Sequence, residues 1–204
     1  MDLPDNAVLN PDGTVTVRFD RPFDLTFREP GRDPRTESYD HIVLRRLNGV
    51  DMRRVFAAKN STELALAISA GLTQAKLALM QTRMDGADLT AANMAVAELL
   101  GGMKDGLPDH AVENADGGVT LPLLYPATDG DGETHDTLVF NRLTGLHMKG
   151  IGTSKVPLQH GIHAATGLTL KAAKGLFDAM DGADALAAQA AINFLSGIGR
   201  RTGR

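Results

Sequence analysis

The segment Met84-Asp85-Gly86-Ala87-Asp88 recurs as Met180-Asp181-Gly182-Ala183-Asp184, and Gly71-Leu72-Thr73 recurs at the same offset as Gly167-Leu168-Thr169. The pairs Glu37/Glu133, Asp40/Asp136, Arg46/Arg142, Leu47/Leu143, Gly49/Gly145 and Met52/Met148 share that offset. From Thr36 to Gly102 the two stretches align without a gap, with roughly 21 identities in about 67 positions. Upstream the register moves by about eight residues. There Val15-Thr16-Val17 matches Val119-Thr120-Leu121 and Pro22 matches Pro126, because the first copy has the longer loop, Phe23 to Arg35. A chain of 204 residues with this self-similarity is expected to hold two small modules rather than one large core.

One module follows from local physics. Thr14 to Phe19 alternates β-branched and polar residues, the pattern of a half-buried strand. Arg21-Pro22 to Pro34-Arg35 is rich in Pro, Gly and Asp and reads as a loop, and Tyr39 to Leu44 as the second strand of a hairpin. In the second copy the connection is Asp129-Gly130-Asp131-Gly132, a stronger turn signal. After Gly49, Asp51 is placed to cap a short helix through Val55 and Phe56. Asn60-Ser61-Thr62-Glu63 approaches a capping box for a helix whose inner face is Leu64, Ile68 and Leu72, closed by Gly71. Thr73 caps the next helix, with Leu77 and Met80. Asp85 caps the last, with Asp88 in its first turn and Leu89, Val96, Leu99 and Leu100 inside. Gly101-Gly102 ends it. The expected fold class is α+β, a tandem repeat of a small module, each a β-hairpin followed by about three short α-helices. The first module spans 1–102, a linker 103–118, and the second module 119–204, ending in the basic tail Arg200 to Arg204, which is expected to fray.

Composition narrows the function classes. Aromatic residues are only 4% and Trp is absent, so each module is expected to have a thin core of Ala, Leu, Val and Met. There is no Cys, which removes disulfides, thiolate nucleophiles and Cys-ligated metals and fits a reducing cytoplasm. The acidic N-terminus has no apolar signal region, and no apolar run approaches the roughly 18 residues of a membrane helix. A net charge of −4 argues against nucleic acid as the main partner.

Each tempting chemical group has a simpler explanation. His160 and His163 stand three apart on an expected helix, a potential metal pair, but the equivalents are Leu64 and Ala67, and two ligands alone do not make a site. Asp129, Asp131 and Glu133 imitate the start of a calcium loop, yet its twelfth position is Phe140 and a hairpin turn explains them. Gly150-Ile151-Gly152-Thr153-Ser154-Lys155 lacks phosphate-loop spacing and reads as a flexible turn. The carboxylate pairs Asp85/Asp88 and Asp181/Asp184 are explained by helix-start chemistry. No nucleophile elbow and no His-Glu-x-x-His is present. The expectation is therefore a non-enzyme with no catalytic, cofactor-binding or metal residues and no cofactor. Met80, Met84, Met94 and Met103 cluster around the helices of the first copy, where Met suits either adaptable binding or ordinary core filling.

The stretch Ile42-Val43-Leu44-Arg45-Arg46-Leu47-Asn48-Gly49-Val50-Asp51-Met52 follows the hairpin. Gly71-Leu72-Thr73 and Met84 to Asp88 come after it, and Leu138 to Met148, Gly167-Leu168-Thr169 and Met180 to Asp184 repeat the order. This resembles the small tail assembly chaperones of tailed bacteriophages, the Mu-like type, present here as two tandem copies. Leu47 and Leu143 stand where that family commonly has Pro, and His147 replaces the acid found at Asp51. The resemblance implies a phage or prophage tail assembly chaperone that binds the tape-measure protein and helps recruit tail-tube subunits without catalysis. It would act in the bacterial host cytoplasm and be absent from the mature virion. The alternative is a duplicated structural component of a phage tail or tail-like particle. Self-association fits either reading; nucleic acid and membrane partners fit neither.

Overall fold

The computed structural model describes residues 2–28, 31, 33–101 and 107–197. It is an α+β protein with eight helices and two three-stranded antiparallel sheets among the described residues. The chain divides into two compact units, Met1–Leu47 with Asp51–Met103, and Asn48–Val50 with Lys104–Arg204. No single helix is long and apolar enough to cross a membrane among the described residues.

In the first unit the sheet order is β1 (Ala7–Leu9), β2 (Val15–Phe27), β3 (Arg35–Leu44). Helices α1 (Gly49–Ala57), α2 (Ser61–Ser69), α3 (Gln74–Gln81) and α4 (Gly86–Leu99) follow. The second has the same order of elements: β4 (Val112–Glu113), β5 (Val119–Thr128) and β6 (Thr134–Phe140), then α5 (Gly145–Thr153), α6 (Pro157–Thr166), α7 (Leu170–Ala179) and α8 (Gly182–Leu195). Each sheet therefore has a strand ahead of the expected hairpin, and each unit four helices. The extra strands are three and two residues long, too short to show a period of two in sequence. Strand β4 lies inside the expected linker 103–118, whose first four residues (103–106) lie outside the described residues, as does the basic tail.

Strand β2 also runs through the segment expected to be a loop, because Pro22 does not end it. The register shifts between Arg18 and Phe23, so Pro22 sits in a bulge, where a residue without an N–H is tolerated. In β5 the register shifts between Pro122 and Ala127, with Pro126 inside the irregularity. A bulge frees backbone N–H groups from the ladder, and burial makes an unpaired N–H costly. Both are met by one carboxylate at the third position of the last helix. Asp88 Oδ1 accepts from Asp20 N at 3.1 Å. Asp184 Oδ1 accepts from Leu124 N at 2.8 Å, and Oδ2 from Tyr125 N at 3.3 Å. Asp88 and Asp184 are almost fully buried. Burial pushes the Asp184 carboxyl above its usual range, partly offset by the two backbone bonds. The helix N-terminus adds favourable field to both. Helix-start chemistry alone, the expectation from sequence, misses this bracing of strand to helix.

Other repeated residues are caps. Thr73 accepts from Lys76 N at 3.1 Å and Thr169 from Ala172 N at 3.0 Å. Asp85 accepts from Ala87 N at 2.9 Å and Asp181 from Ala183 N at 3.0 Å. Gly71 and Gly167 take positive φ after their helices, where a Cβ is disfavoured. Two expected caps differ. Asp51 lies within α1 rather than before it and pairs with Arg45 at 2.8 Å. Asn60 is at the N-cap of α2, but its amide donates to Glu63 instead of accepting from the backbone.

The core of the first unit includes Val15, Val17, Leu44, Leu66, Leu77 and Leu99; that of the second, Val119, Leu121, Phe140, Ile162 and Leu176. The inner face of α2 is Ala65 to Ser69, with Leu66 fully buried, whereas Leu64 and Leu72 are half-buried. Ala92 and Ala95 on α4, and Ala188 and Ala191 on α8, are fully buried and let those helices lie close to their neighbours.

Replacing Asp184 by Ala leaves the part-buried N–H groups of Leu124 and Tyr125 without this acceptor, partly offset by removal of a buried charge. The expected cost is about 2–4 kcal/mol, read as a lowered urea midpoint. Asp88→Ala, which loses one such bond, is expected to cost less.

Candidate functional site

The exposed β-branched residues of the sheets fall into register. On one face of the first sheet Val8 pairs with Thr16, and Thr16 with Val43. Val8 is 55% and Val43 43% exposed, while Val15, Val17, Ile42 and Leu44 point to the buried side. In the second unit Val112 pairs with Thr120, and Thr120 with Val139; the two valines are 59% and 51% exposed. The hydroxyl of the central threonine is engaged in each case. Asn10 Nδ2 donates to Thr16 Oγ1 at 2.9 Å, and Thr120 Oγ1 donates to Asn114 Oδ1 at 3.0 Å. Tying up the hydroxyl favours a methyl-lined surface. The expected hairpin strand includes Val43, whereas Val8 and Val112 lie in strands too short to show alternation, and cross-strand neighbours are not legible because register depends on the turns.

Of the two readings of the methionines, burial favours core filling for two of them. Met80 and Met84 are core residues, Met94 is half exposed, and Met103 lies outside the described residues.

His160 and His163 do stand on one helix, α6, with ring centroids 5.6 Å apart in an edge-on arrangement. They line an open cleft of about 580 Å³ with Leu146, His147, Lys149 and Thr153 of α5. Three of the chain's six histidines thus meet here. His147 is also the third residue of α5, where its Nδ1 accepts from Thr144 N and its own N–H is bound by the Thr144 hydroxyl, a capping box with His in the acid's place. The segment from Gly150 to Thr153, expected to be a turn, is the last part of α5. Two glycines within a helix weaken it by roughly 1 kcal/mol each, and no residue of α5 is buried.

Asp129, expected in a hairpin turn, is there. Its Oδ1 accepts from Asp131 N at 2.8 Å and Glu133 N at 3.0 Å, and its Oδ2 pairs with His135 Nε2 at 3.0 Å. Asp131 instead binds Lys171 at 2.7 Å and the Thr169 hydroxyl at 2.9 Å. Asp129, Glu133 and His135 can place one ligand atom each within 4.8 Å of one another. Turn amides and the Asp129–His135 pair already use the buried carboxylate, so the cluster is explained by the turn. In the first unit a second open pocket, about 500 Å³, is lined by Phe27, Arg28, Asp33, Arg35, Glu37 and Lys76 among others. Lys76 binds Glu37 at 3.0 Å and lies over the Phe27 and Tyr39 rings. Hydrogen bonds from Tyr39 and then Lys76 hold the Glu37 carboxyl below its usual range, while burial pushes the Tyr39 phenol up.

Comparison with family models, with curated proteins and with solved structures finds no match to this chain.

The Asp129 carboxyl is held below its ordinary 3.8, first by the hydrogen bond from His135 and then by the amides of Asp131 and Glu133. A depressed folded value gives stability that is present above 3.8 and is lost as pH falls through that lowered value. Asp129→Asn is expected to flatten this acid limb in a series of melting temperatures taken below pH 4. Asp184 acts in the opposite sense: its raised value makes stability fall as pH climbs from 3.8 through that value.

Proposed function

We propose that the chain is a non-catalytic assembly factor of the tail-assembly-chaperone kind. In this reading it is built from two linked copies of one binding module and holds the tape-measure protein of a phage or prophage until the tail tube assembles. The observation that carries the proposal is the exposed Val-Thr-Val ladder found once in each unit. Val8 and Thr16 correspond to Val112 and Thr120 by the upstream offset of the sequence repeat, and Val43 to Val139 by the downstream offset. These valines stand outside the core and are about half exposed, and both copies present them.

Duplication draws further support from the shared element order, from the paired bulges at Pro22 and Pro126, and from the carboxylates of Asp88 and Asp184 that close them. Most residues common to both copies cap helices, turn the chain or fill the core; exposed exceptions such as Asp40/Asp136 and Val43/Val139 form no reactive group shared by the two. That favours binding over catalysis. A long amphipathic helix exposes an apolar stripe that must be covered before assembly, and a flat β-branched face offers such cover. Each ladder is small, so each contact is weak; linking two raises the effective concentration at the second site and multiplies avidity. The role places the protein in the bacterial host cytoplasm and leaves it out of the finished virion.

Co-expression with the tape-measure protein tests this. The wild-type chain is expected to raise the soluble fraction of that protein and to co-purify with it. Val43→Glu and Val139→Glu should each weaken capture. The double variant should reduce it at least tenfold, with far-UV circular dichroism unchanged, because exposed substitutions usually shift stability by about 0.5 kcal/mol or less. No co-purification with the wild-type chain overturns the reading. A stoichiometric signal in the mass spectrum of purified virions replaces it with that of a structural tail component.

A further inference from the structure

We infer that the cleft between α5 and α6 binds a divalent transition-metal ion through the imidazoles of His160 and His163. This inference is independent of the proposed assembly role. It also departs from the sequence expectation of no metal residues, because the sequence shows only a pair on a helix, whereas the structure shows how that pair is held.

Three observations bear on it. The first is spacing. Two imidazoles sharing one ion, at about 2.1 Å from each nitrogen, hold their ring centroids roughly 5–6 Å apart. Those of His160 and His163 are 5.6 Å apart. The second is the tautomer of His163. Its Nδ1 lies against the backbone oxygen of Leu168, which can only accept, so Nδ1 carries the proton. The neutral ring then presents a lone pair at Nε2. A metal-bound imidazole is commonly oriented in this way, its other N–H given to a backbone carbonyl. The third is space. A Cβ built at Gly150 would stand 3.2 Å from His160 Nε2, so glycine in α5 keeps a side chain away from that nitrogen. An imidazole donor set suits Zn²⁺, Ni²⁺ or Cu²⁺ rather than Mg²⁺ or Ca²⁺. The remaining coordination positions open onto the cleft and take water or a donor from outside.

The competing occupant is an anion, since Lys149 and His147 line the same cleft. In the neutral ring the lone pair of His163 favours the cation, since that nitrogen then repels an anion. The Lys149 ammonium opposes a cation, so its removal separates the two chemistries.

The test is titration of the full chain, prepared without a polyhistidine tag, with Zn²⁺ and separately with Ni²⁺, followed by calorimetry and by the imidazole proton resonances. One ion per chain is expected, perturbing the signals of His160 and His163. His160→Ala and His163→Ala should each weaken binding at least tenfold, and His135→Ala should leave it within twofold. Lys149→Ala should leave it unchanged or tighten it. Gly150→Ala removes no ligand but puts a Cβ against His160 Nε2, so it should weaken the ion at least threefold while far-UV circular dichroism shows the fold retained. Three results overturn the inference: no saturable binding, binding lost with His135 but retained without His163, or binding of inorganic phosphate that disappears in Lys149→Ala while no metal binds.

Discussion

The interaction on which each unit depends is a buried carboxylate bound to the backbone of a broken strand. A strand that keeps its ladder needs no help from a helix. Strands β2 and β5 give up part of theirs at a bulge containing proline, and amides of the bulged segment turn to the last helix. Asp88 and Asp184 meet them from the first turn of α4 and α8. The same residue therefore does two jobs that are usually separate: it favours a helix start through the dipole and fixes the distance between helix and sheet. An Asp is short enough to make that distance specific. Glu would reach further and hold it less tightly. A thin core with little aromatic surface lacks the packing to define this angle by itself, which explains why a polar brace has been placed in so buried a position.

Much of the local structure was legible in the sequence. Thr73, Thr169, Asp85 and Asp181 cap as helix-start chemistry requires, and Gly167 closes α6 in the left-handed conformation. What failed to show has definite causes. Strands of two or three residues carry no periodicity. Pro22 carries the same sequence signal in a loop as in a bulge, so the continuation of β2 was hidden. Gly150 and Gly152 disfavour helix locally, yet α5 continues through them. Met80 and Met84 are indistinguishable by type from a binding stripe until burial is known. Of the candidate sites, the His160/His163 pair was visible at helical spacing, but its meeting with His147 was not, because they lie on different helices and no periodicity links them.

Under the duplication reading one difference between the two units changes local chemistry most. His147 stands at the position of Asp51, His160 at that of Leu64 and His163 at that of Ala67, so an ion-paired acid and two apolar residues have given way to three imidazoles. Asp51 is buried against Arg45 and Ala67 is buried within α2, whereas none of the three histidines is buried. The sheet faces have not diverged in this way: valine and threonine keep their places in both. One surface is thus held common to the two units while another is free to differ, an arrangement suited to a chain that repeats one contact and adds a second.

Helix α5 carries a consequence of its own. With two internal glycines and no buried residue, it contributes little to the cooperative core. Such a segment opens at a small fraction of the global unfolding free energy, and its amides exchange with solvent long before those of α8. Anything that settles in the cleft orders α5 first, so occupancy is converted into amide protection over nine residues without disturbing the sheet. The helix that adds least to stability is therefore the one whose order most directly reports what the second unit has bound.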